Sequence, residues 1–265
     1  MAAAGVYITQ KKDGTACYRA GISLHNRHIS LGSYPTEAQA NAAYCEARQL
    51  YESDLSVEDY GRTGRVLSFP RYVSILNLRD HGIYFKTPIY LAQKYFFYYL
   101  SESIVLTFDT DDLFYYSTHT IMKRGNHLFV ADYGMQVNIL SRYGIREHAV
   151  SGRDYVFANG NPHDFRYGNI ILLNPYHGVR QITRRGKILY QARIHLHGDY
   201  VIGAYSTPEE AAIAYNKAAD LVRRNGCSIN FPENYPEGIS NREYAAIYQE
   251  LSISPKVMAY RPQGK

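Results

Sequence analysis

The chain has 265 residues, is 46% hydrophobic and 20% charged, and carries a formal net charge of +5. That balance predicts a globular protein of two or three small domains, not a disordered one, and suits an anionic partner. No apolar run approaches the roughly 18 residues of a membrane span, and three widely spaced cysteines (Cys17, Cys45, Cys227) argue for a reducing compartment without a disulfide framework.

In chain order, Met1–Gly5 is too short and uncharged to read as a signal peptide. Gly5-Val6 opens the first patterned stretch. Arg19, Gly21, Ser23 and His25, then His28 and Ser30, fall on the outward side of strand-like runs. Thr36 starts a helix whose Ala40, Ala43 and Ala47 share a face. Charge divides along this stretch. Lys11, Lys12, Arg19 and Arg27 stand against Asp13 before residue 35, whereas residues 35–60 hold Arg48 among six acids. Residues 61–65 read as a linker, and Leu67–Tyr84 fits no single template. Pro88–Ser101 (PIYLAQKYFFYYLS) reads as an aromatic helix opened by Thr87 and Pro88, in a core, a domain contact or a partner surface.

From Tyr176 the pattern sharpens. Gln191, Arg193, His195 and His197 share one face of a strand, and Ala192, Ile194 and Leu196 the other. Ile202–Tyr205 closes the next run. Thr207-Pro208-Glu209-Glu210 has the cap, the proline and the first-turn acids of a helix start. Ala211, Ala212, Ala214, Tyr215, Ala218, Ala219 and Val222 give that helix a mostly small face. Residues 176–205 hold Arg180, Arg184, Arg185, Lys187 and Arg193 against Asp199 alone, while the helix is charge-balanced. A basic sheet on a neutral helix is a groove reader, or, more plainly, a small domain with a solvated basic face. After a loop, Asn241–Leu251 predicts a helix packed on the body or on a second subunit, and the last twelve residues a frayed basic end.

The first and last stretches repeat each other. Gly5-Val6 matches Gly178-Val179, Tyr18–His25 matches Tyr190–His197, and Leu31–Tyr34 matches Ile202–Tyr205. Thr36, Ala40, Ala43, Tyr44 and Ala47 match Thr207, Ala211, Ala214, Tyr215 and Ala218, with one-residue slips only where hairpin turns are expected. On Tyr176–Arg180, Ala192–Ile194, Ile202–Tyr205, Glu210–Tyr215 and Ile229–Phe231, the second copy resembles the APETALA-two/ERF DNA-binding domain. The resemblance implies three antiparallel strands on one helix, with the sheet entering the major groove. The chain has no Trp, so the aromatic contacts of plant members are absent or taken by other residues, and base preference does not carry over.

Leu106–Asn174 resembles the HNH homing-endonuclease domain that often accompanies such a module. Phe108–Asp112 looks like its acidic opening, Leu140-Ser141-Arg142 its Leu-His-Arg, and Tyr155–Pro162 its Val-Asp-His-Ile-Asn-Gly-Asn run; His163–Ile170 falls on the segment that follows. The departures fall on the chemistry. Phe157 stands at the general base, Ser141 at a histidine and Val156 at an acid, leaving Asn159, Asp164, Arg166 and Asn169. HNH cleavage needs a histidine to activate water and a metal held by further polar side chains. The implied domain is catalytically dead, unless His148 or His163 substitutes as base. His195 and His197 lack a nearby pair to complete a zinc site and read better as DNA contacts.

The expectation is therefore an α+β chain. It comprises two modules, each a three-stranded antiparallel sheet plus helix, at 1–60 and 176–235. Between them lie a linker and aromatic helical segment (61–105) and a degenerate HNH-like ββα domain (106–175); a C-terminal helix and tail follow (236–265). The implied function is sequence-specific double-stranded DNA binding by a cytoplasmic, nucleoid-associated transcriptional regulator, without catalysis, metal or cofactor. Homo-oligomers are an option and a membrane is not expected. Lys11, Lys12, Arg19, Ser23, His25, Arg27 and His28 form the first expected reader; Arg180, Arg184, Arg185, Lys187, Gln191, Arg193, His195 and His197 form the second. The alternatives are an active HNH endonuclease and a protein-interaction scaffold that binds DNA incidentally.

Overall fold

The computed structural model describes residues 3–10, 14–62, 64–146 and 149–262. Lys11, Lys12 and His148 lie outside the described residues. The chain is α+β and divides into two compact units, residues 1–143 with 157–170, and residues 144–156 with 171–265. Among the described residues no helix is long and apolar enough to cross a membrane.

The first unit begins with β1 (Val6–Gln10), β2 (Ala16–Leu24) and β3 (Arg27–Tyr34), an antiparallel sheet in that order, and α1 (Glu37–Glu52). Thr36 caps α1 by accepting from the Gln39 amide. Ala20, Ile22, Ile29 and Leu31 bury one sheet face against Ala40, Ala43, Ala47 and Leu50 of the helix. This core does not end at residue 60. Leu67, Tyr72, Ile75, Leu76 and Leu78 belong to it, the last four on α2 (Phe69–His81). Residues 72–78 of α2 are all buried, as expected of a helix covered on more than one side.

The aromatic stretch is sheet, not helix. β4 (Ile89–Leu91), β5 (Tyr95–Ser101) and β6 (Ile104–Asp109) form an antiparallel sheet. Phe96 and Tyr98 are buried while Tyr95, Phe97 and Tyr99 are half-covered, a period of two. Aromatic residues suit such a pleated, half-buried surface, and Pro88 precedes the first strand instead of opening a helix. Short α3 (Leu113–Thr118) then leads into a third sheet, β7 (Ile121–Arg124), β8 (His127–Asp132) and β9 (Met135–Asn138).

β10 (Tyr155–Phe157) and β11 (Ile170–Leu172) pair as a two-stranded ribbon. β11 leads through a loop into another strand and not into an α-helix. Of a ββα arrangement, the two strands are present and the helix is not.

The second unit contains β12 (Val179–Arg184), β13 (Lys187–His195), β14 (Asp199–Tyr205) and α4 (Pro208–Arg224), with the strand order and antiparallel pairing of β1–β3. Val179, Ala192, Ile194 and Ile202 bury against Ala211, Ala214, Tyr215 and Ala218. α5 (Asn241–Glu250) is capped by Ser240, one residue before the expected start. It packs on α4, where the Tyr248 hydroxyl donates to Asp220 (2.9 Å). The expected frayed end instead forms a turn of helix, α6 (Pro255–Met258); Val257 is fully buried and the Ser254 amide donates to Ile202 O at 2.7 Å.

The repeat extends to individual bonds. Gly5 (φ +71°) and Gly178 (φ +70°) start the two modules. Gly21 N donates to Gly5 O at 2.9 Å, and its counterpart Arg193 N donates to Gly178 O at 2.7 Å. A Cβ on Gly5 would lie 2.1 Å from Tyr44, and one on Gly178 2.4 Å from Tyr215. Only glycine permits both that backbone conformation and a tyrosine ring across it. Each middle strand has a register shift at the matched place, after Ala20 and after Ala192. The extra residues opposite, Leu31 and Ile202, are both buried. A bulge in this position bends the third strand without losing its core side chain.

Candidate nucleic-acid interface

Residues paired across antiparallel strands share a sheet face, so register determines what each module turns away from its helix. In the second module, Arg180 pairs with Gln191, Arg184 with Lys187, Arg193 with Val201 and His195 with Asp199. All lie on the face opposite the one where Val179, Ala192 and Ile194 are buried. Six expected contacts are thereby brought together: Arg180, Arg184, Lys187, Gln191, Arg193 and His195. Ile182 and Leu189 pair between them and give the face an apolar floor.

The arginines are held. Gln191 Oε1 accepts from Arg180 Nε (3.0 Å) and Nη2 (2.7 Å). Asp199 accepts from Arg193 Nη2 (2.9 Å) and from His195 Nδ1 (3.0 Å). The His195 bond, with the charge of Arg193, holds the Asp199 carboxyl below the usual carboxylate range. At the β12–β13 tip, Arg185 (φ +52°) and Gly186 (φ +74°) form a tight turn with successive positive φ. Arg184, Arg185 and Lys187 are all exposed there.

The expected strand face ends earlier than the alternation implied. β13 stops at His195, and His197 lies in the following turn with φ +56°. The two histidines therefore do not share a strand face. Positive φ at a non-glycine residue leaves no alternation signal, which is why sequence spacing extended the strand too far.

Among the described residues, the first module has fewer cations on its outward face. Tyr7 pairs with Arg19, Arg19 with Ser33 and Ser23 with His28. Where the second module has Arg193 the first has Gly21, and the His28 ring lies so near that a Cβ there would be 2.6 Å from its Cε1. Two expected contacts turn the other way. Arg27 pairs with Leu24 on the helix side, its guanidinium 5.1 Å from the Tyr84 ring centroid and 3.5 Å from Tyr84 O. His25 sits in the turn at φ +48°, its Nε2 hydrogen-bonded to the Tyr51 hydroxyl of α1. Arg19, Ser23 and His28 remain outward. Tyr7, 54% exposed and edge-on to His28, was missed, although the alternation of β1 places it opposite Arg19.

The HNH-like positions form a structural network. Phe157 meets Phe165 edge-on at 5.8 Å, and Phe165 stacks on Phe108 at 5.4 Å. The Ser141 hydroxyl donates to Asn138 O at 2.6 Å. Asp164 is buried and accepts from Arg166 Nε (2.9 Å) and Nη2 (2.6 Å) and from Asn159 Nδ2 (2.7 Å). The Arg166 bonds chiefly hold its pKa below the usual range. Asn169 accepts from the Asn159 amide and donates to Asp164 O. Asp112 takes Arg142 and the hydroxyls of Tyr143 and Tyr167. Among the described residues no group of three or more His, Cys, Asp or Glu is arranged to hold a metal. The buried carboxylates Asp112 and Asp164 are committed to Arg142 and Arg166, and a phenyl ring stands at the general-base position, so these residues do not fit the HNH metal.

Comparison of the chain with protein-family models, with curated proteins and with solved structures finds no match.

Proposed function

We propose that the chain is a sequence-specific double-stranded DNA-binding protein that regulates transcription and does not cleave its target. The observation that supports this reading is the outward face of β12–β14. Arg180, Gln191, Arg193 and His195 stand there side by side, beside the basic hairpin tip of Arg184, Arg185 and Lys187. Paired arginine and glutamine donors and acceptors suit base edges in a major groove wide enough for a β-ribbon, and the tip cations suit phosphates. Arg19, Ser23 and His28 form a smaller second reader of different chemistry. The committed carboxylates and the phenyl ring at the general-base position favour a domain retained for shape over a nuclease.

The test is selection of bound duplexes from a random pool, with a parallel incubation in Mg²⁺ or Mn²⁺ scored for cleavage. A defined motif on intact DNA is expected. Cleaved DNA would restore the nuclease reading, and no enrichment would leave an interaction scaffold.

A further inference from the structure

We propose that the second unit contains a binding site for a small organic anion: an apolar body carrying one carboxylate, sulfonate or phosphate. The site is a cavity of about 500 Å³ at one end of the β12–β13 face, and its described lining comes wholly from the second unit. That volume lies in the range of small-molecule sites. Ile145, Ala149, Leu172, Val179 and Phe231 supply apolar walls. Such walls with a few convergent polar groups are what ligand pockets have in common.

The polar lining is unbalanced. Arg146, Arg153, Arg180 and Arg193 line the cavity against two acids, Asp154 and Asp199. Asp154 is taken by Arg153 Nε (3.0 Å) and Nη2 (2.7 Å), and by the Val150 amide. Asp199 is taken by Arg193 and His195. Arg146 and Arg180 hydrogen-bond only to neutral oxygens among the described residues: Arg146 to Pro175 O (2.9 Å) and Asn234 Oδ1, Arg180 to Gln191 Oε1. Arg146 is exposed overall, yet desolvation lowers its pKa, and among the described residues none of its hydrogen-bond partners carries a charge. Arg193 Nε is a buried donor with no acceptor among the described residues. An anion seated here would supply an acceptor for that donor and a counter-charge for Arg146 and Arg180, while its apolar body covers the walls.

Arg180, Arg193 and His195 belong both to this lining and to the outward sheet face. If that face reads DNA, as proposed above, the anion and the duplex use the same guanidinium groups and exclude each other. The ligand then acts as an effector that releases DNA.

The experiment titrates the full chain with 8-anilinonaphthalene-1-sulfonate and with its uncharged analogue N-phenyl-1-naphthylamine, both followed by fluorescence. One saturable site for the sulfonate is expected, about tenfold or more tighter than for the neutral dye. Arg193→Gln and Arg146→Gln should each weaken it by about tenfold. Ala149→Phe, which fills the cavity, should abolish it; melting curves verify that each variant folds. Equal binding of the two dyes, or unchanged sulfonate binding in Arg193→Gln together with Ala149→Phe, would overturn the site. The second arm adds a duplex recovered from the selection. Displacement of DNA by the sulfonate supports the shared face, and simultaneous binding overturns the effector role. A dye site that behaves as described in a chain that binds no duplex leaves the anion site standing and removes the DNA reading.

Discussion

Asp199 sets how much positive charge the second sheet offers to solution. It ties up Arg193 and His195 together and stands at the edge of the face that would meet phosphate. Asp199→Asn keeps the shape, removes the counter-charge and removes a repulsive group. DNA binding should tighten on all sequences alike, with a steeper fall of log K against log salt, because another cation is released to neutralise phosphate. Fluorescence anisotropy at two salt concentrations measures both. Asp164 works in the opposite sense, as a charge committed to the fold. Its folded pKa is depressed, chiefly by Arg166. Its contribution is therefore present above the usual carboxylate pKa near 4 and is lost as pH falls through the lower folded value. Denaturant unfolding at pH 6 and at pH 2.5 should show a loss on acidification that Asp164→Asn reduces. The substitution itself should cost about 1–3 kcal/mol at pH 6, by weakening the charge-assisted bonds that the buried carboxylate accepts from Arg166 and Asn159.

At the scale of elements, the contact between glycine and tyrosine joins each first strand to its helix. Gly178 needs positive φ, and a Cβ there would also lie 2.5 Å from Arg193 O. Gly186 has the same kind of φ in open space. Gly178→Ala should therefore destabilise by more than the roughly 1–3 kcal/mol of an unfavourable backbone conformation, whereas Gly186→Ala should stay within it. Equal losses in urea unfolding would mean that the ring contact contributes nothing. These elements were legible because their signals are local. Thr207 and Glu210 form the capping box that Thr-Pro-Glu-Glu announces, and Ala192, Ile194 and Leu196 alternate as written. Elements fixed by distant partners were not. Tyr95–Tyr99 reads as helix from the sequence, and only its pairing with Val105–Asp109 and Ile89–Leu91 makes it a strand. The direction of Arg27 depends on Tyr84, 57 residues away. Arg146 and Arg153 join Arg180 and Arg193 around one cavity with no spacing in the chain to announce it.

For the molecule as a whole, the two sheet-and-helix modules cannot be separated by a single cut. The first unit takes back residues 157–170 after the chain has left it, and the second holds residues 144–156 ahead of its main body. A cut at residue 60 would also strip Leu67, Tyr72 and Leu76 from the core that buries α1. Loss of DNA binding in such a fragment would report unfolding as readily as a missing reader. Substitution on the outward faces avoids this, because Arg19 is exposed and Arg193, paired with Val201, lies on the face away from the helix. If both sheets read DNA, Arg193→Ala should lose about 1–3 kcal/mol on the selected duplex and relax preference at one position. Arg19→Ala should relax a different position, and the double variant should lose the sum, as expected for independent sites. Repeating the random-pool selection with each variant gives the positions, and anisotropy gives the losses. A uniform loss across sequences would reassign that arginine to phosphate. An Arg19→Ala chain with the affinity and motif of the parent would remove the first sheet from the interface, leaving one reader and a structural copy of it.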